Sequence, residues 1–477
     1  MSASRLALVT CASFPLLALV ACDGLKVADV SSTGDDGGAG GVETPRDPDA
    51  GDGDAAARLP DASNAPADFA CGADAWTKPT KTKKECGPRQ VRVVDSEAPI
   101  EPTGVSIART PKGRVGIVYN AEQGTEMGEM HLVHFVPDKP GFEIPAIVKR
   151  STGFAFHDGM VAKITAAAPD DLHVLAHDVD DNSQSGEVNL YTLEGGKEPL
   201  VGPELVATSV KRPAELAVRA DGAGNVFATV RIASGGATAK LSAFKRTNNG
   251  VTSLPDLTTA LLPADAPGIG AASIGIDPTG VVHLLYHYNE VQAHSTPRYH
   301  TLDATQWSYR KTVDNATFDG LSGFSPALAV VGTRKYAAYY FRKALQSGPA
   351  TAELRLATWR SSMDTPQIEV LDQAIPSTDA LYPRYRVAMA SDPYGLLHLA
   401  IIRPTSETGS TGYLEYRRQT PSTGGETEWL SDIVDPEVLS AGGLAYVDIV
   451  VDAEARPHIA YRSAVDGTVR YATRFDR

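Results

Sequence analysis

His157, Asp158, Arg212, Tyr382 and Arg384 are the side chains of this 477-residue chain whose chemistry could converge on a ligand. A histidine beside a carboxylate can move protons or accept hydrogen bonds, two arginines can hold an oxyanion, and a tyrosine offers a flat ring with a hydroxyl at its tip. Such a mixture suits a polar ligand, a glycan or a peptide. The residues stand in short runs of the same character: Phe154-Ala155-Phe156-His157-Asp158, Lys211-Arg212-Pro213, Thr317-Phe318-Asp319 and Leu381-Tyr382-Pro383-Arg384-Tyr385-Arg386. A second set, His173, His283, His398 and His458, recurs at one position of a repeated pattern. Histidines separated by whole structural units face different surfaces and do not meet on one ion. They are expected to pack the units, with ring nitrogens bonded to backbone near a turn.

The run from Asp178 to Glu187 alternates oxygen-bearing side chains as the start of a calcium loop does, and calcium is the one cofactor the sequence raises. Ser183 stands where such a loop needs glycine, and Asn189 where it needs a bidentate glutamate, which favours a solvated hairpin. No other metal site is expected. Nucleophile elbow, zinc helix motif, phosphate-binding loop and dinucleotide fingerprint are all missing from the sequence, which counts against an enzyme.

The N-terminus carries its own chemistry. Arg5 precedes the apolar stretch Leu6 to Val20, which is too short to span a bilayer comfortably and reads as an export signal over residues 1–21. Its end, Leu19-Val20-Ala21-Cys22, resembles the bacterial lipobox. That resemblance implies lipidation of Cys22, attachment to a membrane through the lipid, and a place in the bacterial cell envelope on the periplasmic or outer side. Residues 22–70 are poor in branched and aromatic side chains and rich in Asp, Gly, Ala and Pro; they cannot bury enough apolar surface to offset chain entropy and read as a tether. Residues 1–70 hold 11 acids against 4 bases, so −7 of the net −14 lies there. The remainder is mildly acidic, which argues against a nucleic-acid partner. Cys71 and Cys86 are expected to form a disulfide bracing residues 71–88, as suits an oxidising compartment.

The framework that carries these residues is marked by repetition. In Ala272 to Tyr286 an apolar strand runs into Asp277-Pro278-Thr279-Gly280, and a second apolar strand leaves it. Asp and Pro initiate a tight turn, and Gly supplies its positive φ. Taking Gly113, Asp171, Gly224, Gly280, Thr333, Gly395 and Ala455 as equivalent, the steps are 58, 53, 56, 53, 62 and 60 residues. Each unit continues with two more strand-like runs, for example Pro297 to Leu302 and Trp307 to Val313. Units of four short strands, each buried only against its neighbours, define an all-β, seven-bladed propeller over residues 89–477. The last unit lacks its fourth strand, and Gln90 to Asp95 matches the missing piece, as in Tyr309 to Asp314, Ile368 to Asp372 and Leu430 to Asp435. An N-terminal strand is therefore expected to complete the last blade.

In this pattern the body resembles exported bacterial propellers with sialidase-like or NHL-like repeats, and the resemblance is one of architecture. The sialidase Asp-box is not matched, since apolar residues follow the turn where that motif has Thr-Trp, and no catalytic residue carries over. The leading expectation is a membrane-anchored, non-catalytic binding or scaffolding propeller whose ligand is an envelope protein or polysaccharide. The alternative is a carbohydrate-active hydrolase or lyase in which carboxylates from different blades meet at the axis. Two carboxylates roughly 5–10 Å apart would mark the latter.

Overall fold

The computed structural model describes residues 90–473 apart from 96–103, 124–126, 138–143, 145–147, 152–161, 168, 180–184, 212–215, 234–238, 256–267, 292–293, 304–305, 315–319, 344–350, 362, 377–385, 407, 421–427 and 442–444. All of them belong to the compact unit Asp47–Arg477.

The chain begins its first strand at β1 (Gln90–Asp95). Blade 1 is β2 (Val105–Arg109), β3 (Val115–Gln123), β4 (Met127–Phe135) and β5 (Val148–Ser151). Blade 2 is β6 (Lys163–Ala167), β7 (Asp171–Val179), β8 (Ser185–Leu193) and β9 (Val201–Lys211), and blade 3 is β10 (Leu216–Ala220), β11 (Val226–Ala233), β12 (Ala239–Thr247) and β13 (Gly250–Ser253). Blade 4 holds β14 (Gly268–Ile276), β15 (Val282–Val291), β16 (His294–Asp303) and β17 (Gln306–Thr312); blade 5 holds β18 (Gly320–Val331), β19 (Arg334–Lys343), β20 (Thr351–Trp359) and β21 (Gln367–Pro376). Blade 6 is β22 (Arg386–Ser391), β23 (Leu397–Pro404), β24 (Gly412–Gln419) and β25 (Trp429–Asp435). Blade 7 takes β26 (Tyr446–Val451), β27 (Pro457–Arg462) and β28 (Val469–Thr473), and its fourth strand is β1, paired antiparallel with β28 from Gln90↔Thr473 onward. A single parallel bridge, Ser295↔Leu321, links blades 4 and 5.

Alternation of side chains on these strands gives every blade two apolar faces, and the core is divided accordingly. Seven apolar clusters occupy the seven junctions between neighbouring blades. The cluster between blades 7 and 1 combines Val105, Ile117 and Tyr119 with Tyr471 and with Val94 of β1. The first strand of each blade is innermost, each packing on the next, with β26 against β2.

The turn from first to second strand explains the spacing of the repeat. In blades 1, 3, 4 and 6 its last residue is glycine, with φ between +81° and +87° at Gly113, Gly224, Gly280 and Gly395. Blade 7 places Ala455 there at φ +59°, a strained choice for a residue with a Cβ. Blade 5 uses a two-residue turn whose positive φ belongs to Gly332, one residue before the Thr333 taken as equivalent from sequence.

Candidate functional site

Three of the four repeated histidines, His283, His398 and His458, are joined to their turns by side chains, which corrects the expectation of backbone partners. His398 Nδ1 lies 2.7 Å from the Tyr416 hydroxyl and its Nε2 3.3 Å from Asp392 Oδ2. His458 repeats this with Tyr471 at 2.6 Å and Asp452 at 3.2 Å, and His283 with Tyr299 at 2.5 Å and Asp277 at 3.3 Å. Register explains the recurrence: the residue two beyond each histidine pairs with that tyrosine on the third strand. The aspartate serves both ends, because Asp392 Oδ1 accepts the amides of Tyr394 and Leu396 while Oδ2 meets the imidazole. His173 sits instead against Thr192 Oγ1 at 2.9 Å. All four rings are buried, and the packing role expected of them is what these contacts perform.

His157, Asp158, Arg212, Tyr382 and Arg384 lie outside the described residues, as do Cys22, Cys71 and Cys86. From the run containing Tyr382 the structure describes Arg386, at the start of β22, whose guanidinium stands 5.0 Å from the ring centroid of Tyr446 on β26. The two belong to adjacent inner strands at the end of the channel away from the first turns. Of the calcium-like run, residues 180–184 are outside the described set, and Asp178 is turned inward: its Oδ2 accepts from Asn189 Nδ2 at 2.8 Å and the Tyr191 hydroxyl at 2.9 Å. Burial raises its pKa, against the lowering effect of those bonds, so it is poorly suited to hold a cation.

The wall of the channel is made by the seven inner strands, which are rich in Ala, Val and Ile. They contain a single acid, Asp448 of β26. Its Oδ2 accepts the Ser106 hydroxyl at 2.7 Å and the Ile107 amide at 3.1 Å, so the carboxylate ties blade 7 to blade 1. The same device, a small polar side chain accepting an amide of the next inner strand, recurs at Thr165 with Ala220 N and at Ser273 with Leu328 N.

Arg219 on β10 is an inner-strand cation exposed to solvent. Enclosure by protein lowers its pKa, and Asp448 works in the opposite sense. It makes no hydrogen bond or ion pair with the described residues. Beside it a depression of about 270 Å³ is lined by Asp221, Asp277, Pro278, Gly332, Ser391 and Asp392, all at the first-turn end of the channel. Two of those carboxylates are spent on their own blades, Asp277 on His283 and Asp392 on His398, and Asp221 binds Asn225.

Sequence reasoning missed a second repeated contact. An aspartate at the end of the fourth strand of one blade, or just past it, accepts a tyrosine hydroxyl from the second strand of the next: Asp314 from Tyr339 at 2.9 Å, Asp435 from Tyr461 at 2.8 Å. Arg355 and Arg470 join these two aspartates.

Fold and channel together define a seven-bladed, all-β propeller of four-stranded antiparallel blades. No protein-family model and no curated protein matches the chain. Solved structures similar to it include the α-L-arabinofuranosidase Arb93A from Fusarium graminearum in complex with an iminosugar inhibitor, at TM-score 0.45 and 12% identity over 67% of this chain and 94% of that one. The SapL1 lectin in complex with α-methyl fucoside aligns at 0.42 and 10%, over 72% and 99%. The Trypanosoma rangeli sialidase with the inhibitor DANA aligns at 0.40 and 10%, over 79% and 55%.

Proposed function

We propose that this protein is a recognition propeller, held to a bacterial envelope membrane by lipid on Cys22, that binds a glycan or an envelope protein without turning it over. The observation that carries this reading is the composition of the channel wall. Most glycoside hydrolases work with two carboxylates at a set separation; among the described residues the inner strands hold one, and Asp448 joins blades 7 and 1. They carry the cation Arg219 and, towards the other end, Arg386 beside Tyr446, a set of guanidinium groups and a ring suited to holding a polar ligand.

The reading is tested by screening the purified full chain against glycans and cell-wall fragments, with product analysis of every hit. Retention of a ligand with no cleaved product supports it. Shortened glycans, or unsaturated products of a lyase, would overturn it.

A further inference from the structure

The depression beside Arg219 is framed by four consecutive blades. Arg219 and Asp221 come from blade 3, Asp277 and Pro278 from blade 4, Gly332 from blade 5 and Ser391 from blade 6. All stand where an inner strand enters its first turn, so the depression forms at the mouth of the central channel. The four turns around it belong entirely to the described residues. At about 270 Å³ it falls just below the usual range of small-molecule pockets, roughly 300–1,000 Å³, which suits one sugar or amino-acid unit and not a long chain.

Two of the side chains lining it are uncommitted. Among the described residues neither the Arg219 guanidinium nor the Ser391 hydroxyl has a hydrogen-bond or ion-pair partner. Small residues, Gly275 and Ala390, hold the position of Arg219, two before the turn aspartate, in blades 4 and 6. A Cβ at Gly275 would come within 2.7 Å of Val330 Cγ2, so the wall at that level takes nothing larger than glycine there. The turn carboxylates mostly face their own blades: the Asp392 side chain is 1% exposed and that of Asp277 14%. Asp221 is half-buried, and its Oδ2 accepts from Asn225 Nδ2 at 2.7 Å, which leaves a lone pair for a further donor.

We propose that the channel mouth binds one hexuronic acid unit, its carboxylate held by Arg219 with Ser391 donating beside it and its ring hydroxyls donating to Asp221. A planar guanidinium matches a carboxylate in a two-point bond. One cation among three aspartates favours a monoanion over a phosphate dianion, because each added negative charge is repelled by Asp221, Asp277 and Asp392. A lining with carboxylate acceptors also asks for a ligand that brings donors besides its acid. A sugar acid has several hydroxyls for this, whereas an acylated amino acid has one amide. The apolar Ile276 and Val330 are placed to cover the C–H face of the ring. The proposal deepens the glycan reading given above and rests on it.

The test is calorimetric titration of the full chain with galacturonic acid, galactose, inorganic phosphate and N-acetylalanine. Galacturonic acid should bind about tenfold or more tighter than each of the others. Arg219→Met should weaken it by about tenfold or more and leave the unfolding midpoint unchanged, since Arg219 has no bond within the fold to lose. Ser391→Ala should weaken it by a smaller factor, also at constant midpoint. Phosphate binding as tightly as galacturonic acid would overturn the monoanion argument, and N-acetylalanine binding tighter would assign the mouth to a peptide terminus instead. If a cell-wall fragment binds the parent and Arg219→Met equally and galacturonic acid binds neither, this site is wrong while the recognition reading stands. If the parent binds no glycan of any kind, both fall together.

Discussion

Asp95 Oδ2 accepts the hydroxyl hydrogen of Tyr119 at 2.8 Å, joining the N-terminal strand β1, which completes blade 7, to β3 of blade 1. His131 Nδ1 stands 3.1 Å from the same oxygen. Burial, reinforced by the Asp95 carboxylate, pushes the tyrosine far above its ordinary pKa, so it remains a donor at any working pH. Tyr119→Phe leaves the ring packing intact and strips one donor from a buried carboxylate. A loss of about 1–2 kcal/mol is expected, read by urea unfolding monitored through tyrosine and tryptophan fluorescence. Tyr339→Phe and Tyr461→Phe, which cut the equivalent contacts of Asp314 and Asp435, should cost a similar amount. Unchanged midpoints in all three would mean that these contacts do not hold the blades together.

The turn aspartates give a graded prediction. Asp392 is buried, and its loss would orphan the amides of Tyr394 and Leu396 together with His398 Nε2. Asp221 organises the same turn in blade 3 through Ala223 N, Asn225 N and Asn225 Nδ2, but the sixth residue on is Phe227 and the site is half exposed, so water can replace what is lost. Asp392→Ala should cost about 3 kcal/mol and Asp221→Ala about 1 kcal/mol. Equal costs would show that the turn, and not the histidine contact, carries the energy.

Acid should unfold the propeller in two stages. Burial, with Arg246 nearby, holds His173 down to about 4, and burial beside Arg231 holds His287 down to about 3; burial lowers His398 and His458 as well. The unfolded chain therefore binds protons below about pH 6.5 that the folded chain refuses. The stability these groups allow is fully present above that pH and is lost as pH falls from about 6.5 towards 4. Asp277 adds a second step: although burial opposes it, hydrogen bonds from His283, Thr279 and the Val281 amide hold it down to about 2. Its contribution is present above about pH 4 and disappears between about 4 and 2. Denaturant midpoints measured from pH 8 to 3 should be level above 7 and decline steadily below 6.5; a level profile down to 4.5 would contradict the buried, neutral histidines.

How much of this could be read from the sequence depends on how far apart the partners lie. The Asp-x-x-Gly turns were legible because turn chemistry is local, and their spacing carried the blade count. The strand Gln90–Asp95 was recognisable because its ending, Val94-Asp95, matches Val313-Asp314 and Val434-Asp435. The purpose of that ending was not legible, since the tyrosine it meets belongs to the next blade. A signal was nonetheless present: the separations Asp95 to Tyr119, Asp314 to Tyr339 and Asp435 to Tyr461 are 24, 25 and 26 residues. Relationships across a blade junction were harder. Thr229 and Thr296 look like ordinary strand threonines until register sets them on facing surfaces of two blades. Arg219 stands out only because the ring encloses it.

The proposed anchor gives the last prediction, and it turns on one sulfur atom. Each buried CH₂ of an acyl chain contributes about 0.8 kcal/mol to membrane affinity, and more than one chain makes attachment durable. If Cys22 carries those chains, the full chain expressed in a bacterial host should incorporate an alkyne-tagged fatty acid and sediment with membranes through high salt and carbonate washes. Cys22→Ser should lose the label, since an alcohol does not replace the thiol in the thioether linkage, and leave the membrane fraction. Its β-sheet circular dichroism and unfolding midpoint should match the parent, because residue 22 lies far in sequence from the first described strand. An unlabelled parent, or a serine variant that stays with the membrane after carbonate washing, would place the attachment in something other than lipid on Cys22.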